Sequence, residues 1–150
     1  MSFFDAIGIA ASGLTAERTR MDVTSENLAN ADTTQGANGQ PYQRQEVVLQ
    51  QVGGGFNAAL SSAMGTRAVG GGPVAGGVQV GGIVSDPTPD QSVYDPGNPA
   101  ANAQGYVKMP NVNRVNEMVD MIDESRSYQS DVTAMTTAKQ MFEKTLDLLK

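Results

Sequence analysis

The chain contains no histidine, no cysteine and no tryptophan. Histidine is the usual general base near neutral pH, so the commonest acid–base chemistry is excluded. Without cysteine there is no thiolate nucleophile, no disulfide and no thiolate zinc site. Aromatic residues make up 5% of the chain, too few for a large conventional core. The formal net charge is −6 and the basic residues form no run, so the footprint of a nucleic-acid binder is missing. No stretch reaches the ~18 continuous apolar residues of a membrane-spanning helix. Phe3 to Ala16 is fairly apolar, but Asp5 interrupts it and the first basic residue is Arg18. A cleaved secretion signal is therefore not expected.

Glycine, in contrast, is abundant, with 17 residues in 150. High glycine with few aromatics points to an extended shape or partial disorder before assembly. The length suits one domain. Three segments follow along the chain. The first, 1–32, reads as a helix. Ser2 and Asp5 have the spacing of a capping box. Ile7, Leu14, Met21 and Leu28 recur every seven residues, with Ala10, Ala11, Ser12 and Gly13 among the small residues between them. This is the narrow apolar seam of a coiled coil, although an ordinary amphipathic helix on a globular core has the same pattern. Small residues such as Gly8 and Gly13 allow a neighbouring helix to approach closely, each at a helix-propensity cost of about 1 kcal/mol.

The second segment, 33–105, is punctuated by Gly and Pro: Gly53–Gly55, Gly70–Gly72, Gly76-Gly77, Gly81-Gly82, Pro87, Pro89, Pro96 and Pro99. Two strands are expected, Tyr42–Val52 and Val78–Val84. Between them lies a glycine-rich loop, 53–77, in which Phe56–Ala68 could be loop or weak helix. The third segment, 106–150, holds the clearest element. Pro110 stops what precedes it, and Asn111 or Asn113 can cap a helix. No Pro or Gly follows up to Lys150. Met121, Tyr128, Met135, Phe142 and Leu149 recur every seven residues. Met118, Val132 and Leu146 fill a companion position, with Ser125 and Lys139 as polar interruptions. Two interleaved series argue for a coiled-coil helix.

The expected fold is mainly α with a small β region. Long N- and C-terminal helices pack as a coiled coil, and a Gly/Pro-rich β/loop region lies between them; both termini together form one assembly domain. A helix of about 38 residues would span roughly 57 Å. A compact globule of this chain length is only about 40 Å across, so the helix has to pair with neighbouring molecules. Thr133, Thr136 and Thr137 are weak helix formers. The terminal helices are therefore expected to be largely unfolded in the isolated monomer and to fold on assembly.

No catalytic constellation emerges. The glycine runs lack the G-x-x-x-x-G-K-[ST] phosphate loop. Asp86, Asp90 and Asp95 do not fit an EF-hand and read as turn chemistry. Met118, Met121, Met135 and Met141 read as packing residues. The chain is expected to be no enzyme, with no cofactor, no metal site, no small-molecule substrate and no nucleic-acid partner.

The stretch Ala11–Thr33, ASGLTAERTRMDVTSENLANADT, resembles the N-terminal signature of the flagellar rod and hook axial proteins. Its most specific part is Ser25-x-Asn27-Leu28-Ala29-Asn30, which in that family ends the N-terminal helix. Pro41–Gln45, Val93–Pro99 leading into Gly105–Val112, and Glu117–Met121 through Ser125–Tyr128 are similar to the C type of proximal-rod protein. So is the end of the chain at Leu148-Leu149-Lys150. Asn98 stands where the family pattern has His, and Ser130-Asp131 where it has Ala-Asn.

The resemblance implies a structural subunit of the flagellar basal body, exported unfolded through the type III pathway without a cleaved signal peptide. It would polymerise through its terminal helices into the proximal rod within the cell envelope, the start of the torque-transmitting drive shaft, with its β region facing outward. Expected partners are other proximal-rod proteins, the membrane-ring and export-gate base, and copies of itself. The assembly seam would be Ile7, Leu14, Met21, Leu28, Met118, Met121, Tyr128, Val132, Met135, Phe142, Leu146 and Leu149. Rival readings are another axial protein of the same family, and a coiled-coil adaptor or secretion chaperone. The adaptor reading leaves the turn-rich centre unexplained.

Overall fold

The computed structural model describes residues 3–36, 38–52 and 76–147, with side chains from Asp5 onward. Ser2 of the capping box, Leu149 and the Phe56–Ala68 stretch lie outside the described residues. Two helices dominate: α1, Phe3–Ala29, and α2, Arg114–Asp147, of 27 and 34 residues. Four short strands lie between them: β1, Gln45–Gln51; β2, Val78–Ser85; β3, Gln91–Tyr94; and β4, Tyr106–Met109. They form two two-stranded sheets, β1 with β2 and β3 with β4. The chain is thus mainly helical with a small β region.

The helix ends are built by asparagines. At the exit of α1, the Asn30 backbone N–H and side-chain amide both donate to the Glu26 carbonyl at 3.0 Å, while the Asn30 carbonyl accepts from the Thr33 N–H at 3.0 Å. At the entry of α2, Asn113 Oδ1 accepts from the N–H groups of Val115 (3.0 Å) and Asn116 (3.3 Å). Asn113 is therefore the cap, satisfying amides that have no intrahelical partner. Asn111 instead ties two loops together. Its Oδ1 accepts from the Arg44 N–H at 2.8 Å and its amide donates to the Thr88 carbonyl at 3.1 Å.

β1 falls within the first stretch read as a strand, and β2 covers the second and runs one residue past it to Ser85. β3 and β4 were not legible as strands. Each has four residues, and Pro87, Pro89, Pro96 and Pro99 surround β3, so the period-2 alternation has no room to show. They pair antiparallel in the register Gln91 with Met109 to Tyr94 with Tyr106. The Tyr94 and Tyr106 rings meet edge to face, 5.2 Å apart at 65°. Asn102 Oδ1 organises the connection by accepting from the N–H groups of Gln104 and Tyr106. Gly105 has φ +78°, and a Cβ there would lie 2.9 Å from the Tyr94 ring, so the turn requires glycine on both counts.

The chain divides into two compact units. One comprises 1–19, 48–82 and 125–150, the other 20–47 and 83–124. In the first, Ala16 is buried and Ser12 Oγ accepts from the Val78 N–H at 3.0 Å. The Asp131 carboxylate lies against Gly13, 2.8 Å from where a Cβ would stand. In the second unit, Val23, Ala31, Val107 and Pro110 are the buried apolar residues among those described. They share the interior with four buried polar residues, Thr24, Asn27, Glu117 and Glu124. Buried polar groups are expensive unless paired, so that interior has to be read bond by bond.

Candidate assembly site: a buried polar hub and exposed apolar helix faces

Asn27, in the last turns of α1, is 1% exposed. Its amide donates to the Gln45 carbonyl at 2.9 Å and to Glu117 Oε2 at 3.0 Å. Its Oδ1 accepts from the Gln45 N–H and from the Tyr42 hydroxyl, both at 2.9 Å. An asparagine side chain has two donors and two acceptor positions, and here all four are used.

Glu117, in the first turn of α2, is also 1% exposed. Besides Asn27 it meets Arg44, whose Nε donates to Oε1 at 2.6 Å. Arg44 also stands 3.6 Å from Asp120 and 3.9 Å from Asp86. Its backbone is held at both ends, N–H to Asn111 and carbonyl to the Asp86 N–H. The hydrogen bond to Glu117 pushes the Arg44 guanidinium further toward its charged form. The Tyr42 hydroxyl is pushed up by burial first, then by the negative charges of Glu26 and Glu117, so it stays a neutral donor to Asn27. A second buried carboxylate, Glu124, accepts from Thr24 Oγ1 at 3.1 Å and stands 3.5 Å from Arg20 Nε.

The expected seam residues fall into two groups. Ile7, Leu14, Met21 and Leu28 of α1 are half-buried, as are Met121, Tyr128 and Met135 of α2. Met118, Val132, Phe142 and Leu146 are exposed, Met118 and Leu146 by 47% each. The covered face of α2 therefore joins the Met121, Tyr128 and Met135 series to an acidic one: Glu117, Glu124 and the half-buried Asp131. Within the family motif, Asn27 is the hub, Asn30 closes the helix, Leu28 is half-buried, and Ser25 and Ala29 are exposed.

Sequence reasoning alone misses the joint role of Arg44, Glu117 and Glu124, and offers Asn111 only as a cap. A charge on a seam position breaks the apolar rule, so it reads as a solvated face. The available signal is the spacing: acids at 117, 124 and 131, one position before the companion series 118, 125 and 132.

Outside the hub, α2 presents apolar side chains to solvent. In the second unit, Val115, Met118, Val119 and Ile122 are 64%, 47%, 51% and 53% exposed. In the first, Val132, Met141 and Leu146 are exposed as well. Contiguous exposed apolar faces mark interaction surfaces. The first unit also contains an open groove of about 480 Å³ whose walls include Ile9, Ala10, Ala16, Leu49, Val78 and Ala134. Among the described residues, no helix is long and apolar enough to cross a membrane.

Residues 7–38 match the family described as flagella basal body rod protein, and residues 103–148 match the C-terminal family of flagellar basal body rod FlgEFG proteins. The flagellar basal-body rod protein FlgC of Bacillus subtilis (strain 168) is 46% identical, covering 100% of both chains. That of Escherichia coli O6:H1 is 45% identical over 99% of this chain and 98% of its own. That of Borreliella burgdorferi is 37% identical over 100% and 99%. With similarity of this level end to end, the chain belongs to the family of the flagellar basal-body rod protein FlgC.

Proposed function

We infer that the chain is a structural, non-enzymatic subunit of the flagellar basal-body rod, and that it polymerises through its terminal helices in the proximal part of that rod. The observation that carries this reading is the exposed apolar face of α2, Val115, Met118, Val119 and Ile122 together with Val132 and Leu146. A chain that leaves so many large apolar side chains in water has to cover them against partners. In this reading the partners are copies of itself, other proximal-rod proteins, and the membrane-ring and export-gate base beneath. The covering contacts are helix on helix in the coiled-coil manner, with ridges set into grooves. Each subunit contacts several neighbours, which is what torque transmission through a thin shaft demands. Export proceeds through the flagellar type III route.

Leu146→Asp tests the packing claim. The side chain is 47% exposed in the chain itself, so the monomer tolerates the change. An aspartate there would place an unpaired charge in the assembled seam, at a cost of several kcal/mol. The expected result is a non-motile strain whose basal bodies lack the subunit. Normal motility with normal rod content would overturn the assignment of this face to assembly.

A further inference from the structure

The second unit carries a polar network that assembly alone does not call for. Glu117 and Glu124 stand seven residues apart on α2, and their partners Asn27 and Arg20 stand seven apart on α1. The apolar residues on the same covered faces also repeat at seven: Met21 and Leu28 on α1, Met121 and Tyr128 on α2. An apolar heptad pattern cannot distinguish one helix pairing from another shifted by a whole heptad, because the slip returns like onto like. A buried polar group that fits only one partner removes that ambiguity.

Asn27 and Glu117 have that character. The four bonds of Asn27 tie it to the segment entering β1 through Tyr42 and Gln45, and to α2 through Glu117. Arg44 grips the other Glu117 oxygen while its own N–H is fixed by Asn111, six residues before Glu117 in the chain. A slip bringing Glu124 to Asn27 would strip Glu117 of both partners and draw Asn111 away from Arg44. The opposite slip would set Pro110 against Asn27 and leave Arg44 without its buried carboxylate.

We propose that Asn27, Arg44 and Glu117 are specificity-determining residues, a register lock that selects one pairing of 20–29 on α1 with 114–124 on α2 from those the apolar heptads leave open. The lock belongs to the chain's own fold and does not rest on the rod reading. It can fail while the subunit still populates the rod, and the reverse.

The absence of native cysteine makes the register directly readable by cross-linking. Asp32 and Arg114 are both exposed and form an ion pair at 2.6 Å, so Asp32→Cys with Arg114→Cys reports the native pairing under a short bis-maleimide. Asp32→Cys with Met121→Cys reports a slip of one heptad. Both pairs are placed in the full-length chain, with the hub intact and with Asn27→Leu, Arg44→Met and Glu117→Leu combined. Replacing a buried ionic pair by apolar residues of similar size is often neutral or stabilising, whereas Asn27→Leu also takes a partner from Tyr42 and from the Gln45 backbone. The triple variant is expected to fold with reduced stability, while native cross-linking falls by at least about threefold and the slipped product appears. A folded triple variant that still gives only the native cross-link overturns the lock. If the triple variant does not fold, Glu117→Leu alone is read with the same pairs. It removes the shared acceptor, while Arg44 keeps Asp86 and Asp120. The same redistribution supports the lock, and unchanged yields overturn it.

Discussion

The first turns of α2, Arg114–Glu124, and the remainder, Ser125–Asp147, follow the same seven-residue spacing but are covered to different degrees. In the first stretch Glu117 and Glu124 are buried and every bond of Asn27 is used. From Ser125 onward none of the described residues is buried, and Met141 and Leu146 are 67% and 47% exposed. The chain covers one face of the first stretch with its own polar groups and leaves apolar side chains in solvent on the opposite face, Val115, Met118, Val119 and Ile122, and beyond Ser125. The difference separates two roles. Polar bonds with fixed geometry define how the chain pairs with itself, whereas non-directional apolar faces suit contact with neighbours.

If that contrast is right, the polar hub holds the helices folded in the isolated chain, against the expectation from the threonines of α2, and mutations should sort by face. The largest effect on the isolated chain is expected for Asn27→Ala. It strips a partner from Tyr42, from Glu117 and from both backbone groups of Gln45, at about 3 kcal/mol. A lower denaturant midpoint at unchanged m-value would check it. Gly105→Ala ranks next, at about 2 kcal/mol, because it combines a positive φ with a clash against Tyr94. Near-ultraviolet circular dichroism of the Tyr94–Tyr106 pair should change with it.

A smaller effect lies in the acid limb of the stability curve. Hydrogen bonds from the Thr88 hydroxyl and N–H hold the Asp86 carboxyl below its ordinary value of 3.8, with Arg44 adding a lesser pull. A depressed folded value means the stabilisation is present above the ordinary value and is lost as pH falls through the folded one. Asp86→Asn should therefore flatten the stability profile on the acid side of 3.8 and leave its slope at neutral pH unchanged. The smallest change in monomer stability, within about 0.5 kcal/mol, is expected for Met118→Asp on the exposed face. Rod assembly should nevertheless fail in that strain, and a motility assay beside a thermal melt would show both. If Met118→Asp instead unfolded the monomer, the contrast between the covered polar face and the exposed apolar face would collapse.

Much of this was legible in the sequence. The unbroken run after Pro110 gave α2, the seven-residue spacing gave α1 within 1–32, and the resemblance of Ser25–Asn30 to the family motif marked its end. Val47–Leu49 and Val78–Val84 marked the longer sheet. The shorter sheet was hidden because its strands have four residues each and lie in turn-rich surroundings. The hub was hidden for another reason. Glu117 and Arg44 are far apart in sequence, and a heptad reading looks for leucine where this chain uses glutamate. Asn27 was visible as part of a motif, but its function depends on Tyr42, Gln45 and Glu117 arriving around it. Only the fold brings those residues together.

The central claim, that this chain is a structural part of the rod, is tested most directly by quantitative mass spectrometry of purified flagellar basal bodies after hook and filament have been removed. The account predicts that the subunit stays with the stripped particles at a constant ratio to the other rod proteins. Its loss from those particles, with the intact protein recovered in the soluble fraction, would contradict the account and favour a soluble coiled-coil adaptor.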